Sequence, residues 1–141
     1  MVNRDKRRIA SDLIHRLLAG EITNDAFESQ FPSDTSDPAL AGIYEHLWFY
    51  WDGRKTHSLT GEHILNDEIR AVFTRCRAFL QSDMEYEWPS MSRAPIMLIL
   101  LRLFGSRKAV EKREQEEMER IRSFGDFEVW PFARLQDLDR D

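Results

Sequence analysis

The stretch Leu65-Asn66-Asp67-Glu68-Ile69-Arg70-Ala71-Val72-Phe73-Thr74-Arg75-Cys76-Arg77-Ala78-Phe79-Leu80-Gln81 decides the fold. Leu65, Ile69, Val72, Phe73, Cys76, Phe79 and Leu80 recur at helical spacing and make the longest coherent apolar stripe in the chain. Asn66 or Thr60 can cap its start. A helix with one such face must bury it on other elements, so the rest of the chain is read for what could receive it.

Upstream, Ile9, Leu13 and Leu17, flanked by Ile14 and Leu18, repeat the helical period, while Arg7, Arg8, Asp12 and Arg16 fall largely on other faces. Gly20 suits the C′ position ending this helix, and Thr23 suits an N-cap, with Ile22 able to staple onto Phe27. Phe31 to Pro38 is a polar connector with two prolines. Asp37 as N-cap and Pro38 in the first turn start a third helix with Leu40, Ile43, Tyr44, Leu47, Trp48 and Trp51 on one face. A polar loop, Asp52 to Ser58, leads towards the deciding helix.

Downstream, Pro95 can open an apolar helix running from Ile96 to Phe104, and Gly105 offers a break. That run is about half the length needed to cross a bilayer, so it reads as buried and no membrane association is expected. Arg107 to Arg122 are mostly charged, with Lys112–Glu116 and Glu116–Arg120 at i,i+4, which predicts a charged helix over 107–123 and leaves open whether it projects from the body. Phe127 and Val129 alternate with Glu128 and Trp130, which predicts an extended tail over 125–141 docked on the body. The expectation is therefore one all-α domain over 1–141, with five to six helices in a compact orthogonal or bundle-like array. Its core draws on Leu13, Leu17, Phe27, Leu47, Trp48, Leu65, Ile69, Val72, Phe73, Phe79, Leu98 and Leu101.

Composition narrows function by exclusion. The 141 residues carry a net charge of −5, with 42% hydrophobic and 32% charged residues, as an ordinary globular protein does. An acidic chain lacks the basic footprint of a general nucleic-acid binder. Arg4, Lys6, Arg7 and Arg8 form a basic N-terminal patch, and Arg70, Arg75 and Arg77 lie along the deciding helix. Asp5, Asp12, Asp67 and Glu68 interrupt both, so no nucleic-acid partner is expected. The single cysteine, Cys76, rules out an internal disulfide and fits a reducing, cytoplasmic setting; its place in the apolar stripe predicts a buried, inert thiol. His57 and His63 flank a loop with Asp52 and Glu62, but the spacing matches no zinc pattern, and no metal or cofactor is expected. His15 and His46 read as helix-packing residues.

The segment Asp83-Met84-Glu85-Tyr86-Glu87-Trp88-Pro89 interleaves acids with large aromatics. On an extended backbone Asp83, Glu85 and Glu87 point one way and Met84, Tyr86 and Trp88 the other. Two readings follow. In one, the acids are solvated and the rings are core. In the other, Asp83, Glu85, Tyr86, Glu87 and Trp88 form a partner-binding surface whose acids steer a basic protein and whose rings anchor it.

Two resemblances rest on these residues. Leu17 to Thr23 and on to Phe27 resembles the helical hairpin of SHOCT-type modules, which break at Gly-x-Ile-Thr; this implies the turn and nothing more. The Gly20–Thr23 turn with Phe79-Leu80-Gln81-Ser82-Asp83-Met84-Glu85-Tyr86-Glu87-Trp88-Pro89 is similar to small bacterial all-helical proteins that join the same two features. In size and acidity such chains resemble bacterial immunity proteins, which neutralise a toxin by binding it. The expected function is a non-enzymatic, cytoplasmic protein-binding module with a basic protein partner. The alternatives are a small enzyme using clustered carboxylates, with or without a divalent metal, and a structural or regulatory homodimer.

Overall fold

A computed structural model of the protein describes residues 1–51, 55–89 and 107–139. Among these the structure is all-α: α1 (Arg4–Leu18), α2 (Asn24–Gln30), α3 (Pro38–Leu47), α4 (Asp67–Gln81) and α5 (Arg107–Phe124), with short 3-10 turns between α3 and α4 and after α5. The apolar helix expected over Ile96 to Phe104, and with it the core positions Leu98 and Leu101, lies outside the described residues, as does part of the Asp52–Ser58 loop. No described helix is long and apolar enough to cross a membrane. The chain divides into two compact units, Met1–Tyr86 and Glu87–Asp141.

In the first unit the helix ends obey their capping chemistry. Asn3 accepts the Lys6 N–H, Thr23 accepts that of Ala26, Asp37 that of Ala39 and Asn66 that of Ile69, each satisfying an amide with no partner inside its helix. Gly20 has φ +75°, the left-handed conformation that lets the chain leave α1 and turn at once into α2. A side chain there would also strike Thr60 Cγ2.

The main packing is α1 on α4. Leu13, Ile14 and Leu17 of α1 and Phe73, Cys76, Phe79 and Leu80 of α4 are buried, with Phe27, Leu40, Ile43 and Leu47 completing the core. Of the expected stripe, Leu65, Phe73, Cys76, Phe79 and Leu80 are buried, whereas Ile69 and Val72 are only half-buried. Ile9, expected on the apolar face of α1, is exposed. Trp48, expected in the core, is also exposed, while Trp51 is buried. The buried face of α3 ends at Leu47, and the backbone tightens from α to 3-10 over Trp48–Tyr50.

Arg7, read as part of a basic surface, is wholly buried, and so is Asp37. Arg7 Nε and Nη2 donate to the two carboxylate oxygens of Asp37 at 2.7 and 2.9 Å, a fork-on-fork pair. Its Nη1 donates to the carbonyls of Met84 (2.8 Å) and Ser82 (3.3 Å). One guanidinium thus ties α1 to the start of α3 and to the segment leaving α4. Burial raises the Asp37 pKa, but the Arg7 hydrogen bonds and charge, with the Asn3 and Ala39 amides, outweigh it and hold the pKa below the usual carboxylate value.

In the second unit α5 has exposed charged residues along its length, with Arg107–Glu111 and Lys112–Glu116 pairs at i,i+4. The stretch after Gly125, expected to be extended, instead winds through two 3-10 turns, Phe127–Val129 and Leu135–Asp137. Asp126 explains the first: its carboxylate accepts the Glu128 N–H and its own N–H donates to Ala133 O, closing the chain into a loop that apolar alternation alone does not foresee. Gly125 is required because a Cβ there would collide with the Ala133 backbone. Val129, Trp130, Phe132 and Ala133 are buried.

Candidate functional site

The acidic-aromatic segment is extended, and burial alternates along it: Asp83, Glu85 and Glu87 are exposed, whereas Tyr86 and Trp88 are buried. The rings are therefore core, which corrects the expectation that they anchor a partner. Tyr86 meets Phe79 edge-on at 6.0 Å and lies so close to α3 that a Cβ on Gly42 would fall 2.6 Å from its hydroxyl. Trp88 belongs to the second unit, where its Nε1 donates to the carbonyls of Pro131 and Phe132 and its ring meets Phe127 edge-on. A large apolar ring with its one polar atom satisfied gains more from the core than from solvent.

The acids are not idle either. Asp83 receives Arg4 Nε and Nη2 at 2.7 and 2.5 Å, Glu85 lies 3.5 Å from the Met1 amine, and Glu87 receives Arg134 Nη2 at 3.2 Å. These are exposed pairs, screened by solvent and of little consequence for stability. Arg134 is also held by Asp137, which raises its pKa. Lys6, another member of the basic patch, donates to Ser33 O and pairs with Asp34.

An acidic-aromatic concavity does exist in the first unit, in a place the sequence reading did not mark. Phe31 leaves α2 in an extended conformation and Pro32 continues it, so the connector must fold back to reach Asp37. Asp34 pins that fold: it accepts the Ser36 hydroxyl (2.6 Å) and N–H (2.8 Å) and the Asn3 side-chain amide (2.6 Å). The Ser36 hydroxyl and amide, then Asn3, drive its pKa far below the usual range. Between the connector, α2 and α3 lies a groove of about 380 Å³. Phe31, Pro32, Leu40 and Tyr44 supply its apolar lining and Glu28, Asp34 and Glu45 three carboxylates, with no basic residue among the lining groups.

The ring chain behind it is continuous: Tyr44 to Phe31 and Phe31 to Phe27 at 5.2 Å each, and Phe27 edge-on to Trp51 at 5.4 Å. Trp51 Nε1 donates to Glu28 Oε1 at 2.8 Å. Asp34 is committed to the connector. Glu45 is half-buried and has no hydrogen-bond or ion-pair partner among the described residues. Burial, and then the Glu28 charge, push the Tyr44 pKa up, as a negative local field does. Such a groove can hold a cation by charge and ring face together. The Phe27/Phe31 pair at i,i+4 with acids close by was the available signal.

His57 and His63 stack with ring centroids 4.0 Å apart; His57 Nδ1 lies 2.8 Å from Lys55 O and His63 Nε2 3.4 Å from Glu62. Among the described residues no three His, Cys, Asp or Glu side chains come together to hold a metal. Cys76 is fully buried, and burial pushes its thiol pKa well up. His46 faces Tyr50 Oη at 3.0 Å, and burial, with Arg75 nearby, pushes its pKa down to about 4. Comparison with protein-family models, with curated proteins and with solved structures finds no match for this chain.

Proposed function

We propose that this protein is a non-enzymatic protein-binding module that takes a basic side chain of its partner, lysine or arginine, into the groove between α2 and α3. The observation that carries this is Glu45: a half-buried carboxylate beside an aromatic ring, in an apolar groove lined by two further acids, with no cation against it among the described residues. A cation entering the groove would meet the Glu45 carboxylate and the ring face of Tyr44 together. The chain's net charge of −5 adds long-range steering of a basic partner. Toxin neutralisation of the bacterial immunity kind, in the cytoplasm, is one function such a module would serve.

The test is calorimetric titration with a short lysine-bearing peptide and the same peptide carrying norleucine. Binding that needs the ammonium, weakens with salt and falls at least ~10-fold on Tyr44→Ala or Glu45→Gln supports the reading. Equal binding of the norleucine peptide, or indifference to both substitutions, removes it.

A further inference from the structure

Arg7 shows how this chain itself holds a guanidinium. Its Nε and Nη2 fork onto the Asp37 carboxylate, and its Cζ lies 5.3 Å from the centre of the Phe79 ring. Carboxylate and ring act together there because a guanidinium has two unlike surfaces, N–H donors around its edge and a weakly hydrated plane. The groove between α2 and α3 presents the same two kinds of group, the Glu45 carboxylate with the rings of Tyr44 and Phe31.

The acids of that groove come from three places: Glu28 from α2, Asp34 from the connector and Glu45 from α3. Asp34 already has Lys6 at 3.4 Å. Glu28 takes the neutral Trp51 Nε1–H on one oxygen, and neither it nor Glu45 has an ion-pair partner among the described residues. A lysine ammonium is a compact point charge that holds its water tightly, and the apolar walls of Phe31, Pro32 and Leu40 cannot replace that water. A guanidinium can lay its plane on the Tyr44 ring, give two parallel N–H bonds to Glu45 and still keep donors for a second acid. We infer that the groove selects arginine over lysine, so that a protein partner engages it through an exposed arginine side chain. This rests on the cation-binding reading of the groove and adds the identity of the cation.

The experiment uses acetyl-Gly-Gly-X-Gly-Gly-amide peptides in which X is arginine, lysine, citrulline or norleucine. Each is titrated at low salt into the 15N-labelled full chain while the Tyr44 and Glu45 backbone signals are followed. Arginine should bind at least ~5-fold more tightly than lysine. Citrulline, which keeps the shape of arginine without its charge, should fall to the level of norleucine. Glu45→Gln and Tyr44→Leu, both checked for folding by circular dichroism, should each bring the arginine-to-lysine ratio to within about 2-fold. Lysine binding as well as arginine, with both above norleucine, overturns the arginine assignment and leaves the cation groove standing. Charged peptides that bind no better than norleucine remove both readings. Citrulline matching arginine, or an arginine-to-lysine ratio unchanged in both variants, also overturns the assignment.

Discussion

Replacing Asp37 with alanine strikes the junction of α1, α3 and the segment leaving α4, and its cost can be worked from the structure. Arg7 and Asp37 are both wholly buried, so the substitution strands a guanidinium in the core, an effect of about 3–5 kcal/mol. Asp37 also caps α3 through the Ala39 N–H and accepts the Asn3 N–H at 2.9 Å, and losing a cap adds about 1 kcal/mol. These terms share one carboxylate and overlap, so a total of about 4–5 kcal/mol is expected. Arg7→Met removes the charge with the donor, and the carbonyls of Ser82 and Met84 then lose their partner. The double variant should be more stable than Asp37→Ala alone by about 2 kcal/mol, because no buried charge remains unpaired. Urea unfolding at pH 7, followed by circular dichroism, measures all four states. An Asp37→Ala loss under about 1 kcal/mol, or a double variant that loses the sum of both singles, would refute the reasoning.

Four other outcomes are expected. His46 has a folded pKa of about 4 against 6.5 when unfolded, so the unfolded chain binds more protons between those values. Stability should fall by up to about 3 kcal/mol as pH drops from 6.5 to 4, and His46→Gln should flatten that slope in urea titrations. Asp34 and Asp37 have lowered folded pKa values; their stabilisation is complete above the unfolded carboxylate value and is lost as pH falls through the lower folded ones, so a second decline follows below about pH 4. Gly42→Ala should destabilise despite better helix propensity: overpacking against Tyr86 costs about 1–3 kcal/mol and propensity returns about 1, so a raised melting temperature would contradict the packing. Tyr86→Ala should cost about 3–5 kcal/mol while leaving the affinity of the folded fraction for a lysine peptide intact; lost affinity at unchanged stability would restore the ring as a contact residue.

Much of this was legible where chemistry is local. The caps Thr23, Asp37 and Asn66, the turn at Gly20 and the α4 stripe are each specified within a few residues, and each is found. The alternation of residues 83–88 was equally readable. Which side faced inward was not, because that depends on Phe79, Gly42 and the Pro131–Phe132 backbone arriving from elsewhere in the chain. Arg7 lies on the same α1 face as Ala10, Ile14 and Leu17, a hint that it is buried, but nothing local names Asp37 as its partner. Trp48 faces solvent because the buried face of α3 ends at Leu47, where the helical repeat gives way to a 3-10 turn, a stop that apolar spacing alone does not mark. The α2–α3 groove stayed hidden for a related reason: its rings and acids come from two helices and a folded connector.

The central claim is that a cation is drawn to the groove beside Tyr44 rather than to the exposed acids. Backbone and ring signals of the labelled protein, followed while tetralysine is added, test it most directly. Saturable shifts centred on Phe31, Tyr44 and Glu45 are expected, disappearing in Tyr44→Ala and shrinking with salt. Shifts spread evenly over exposed acids such as Asp67, Glu68, Asp83 and Glu85, with none at Tyr44, would contradict it.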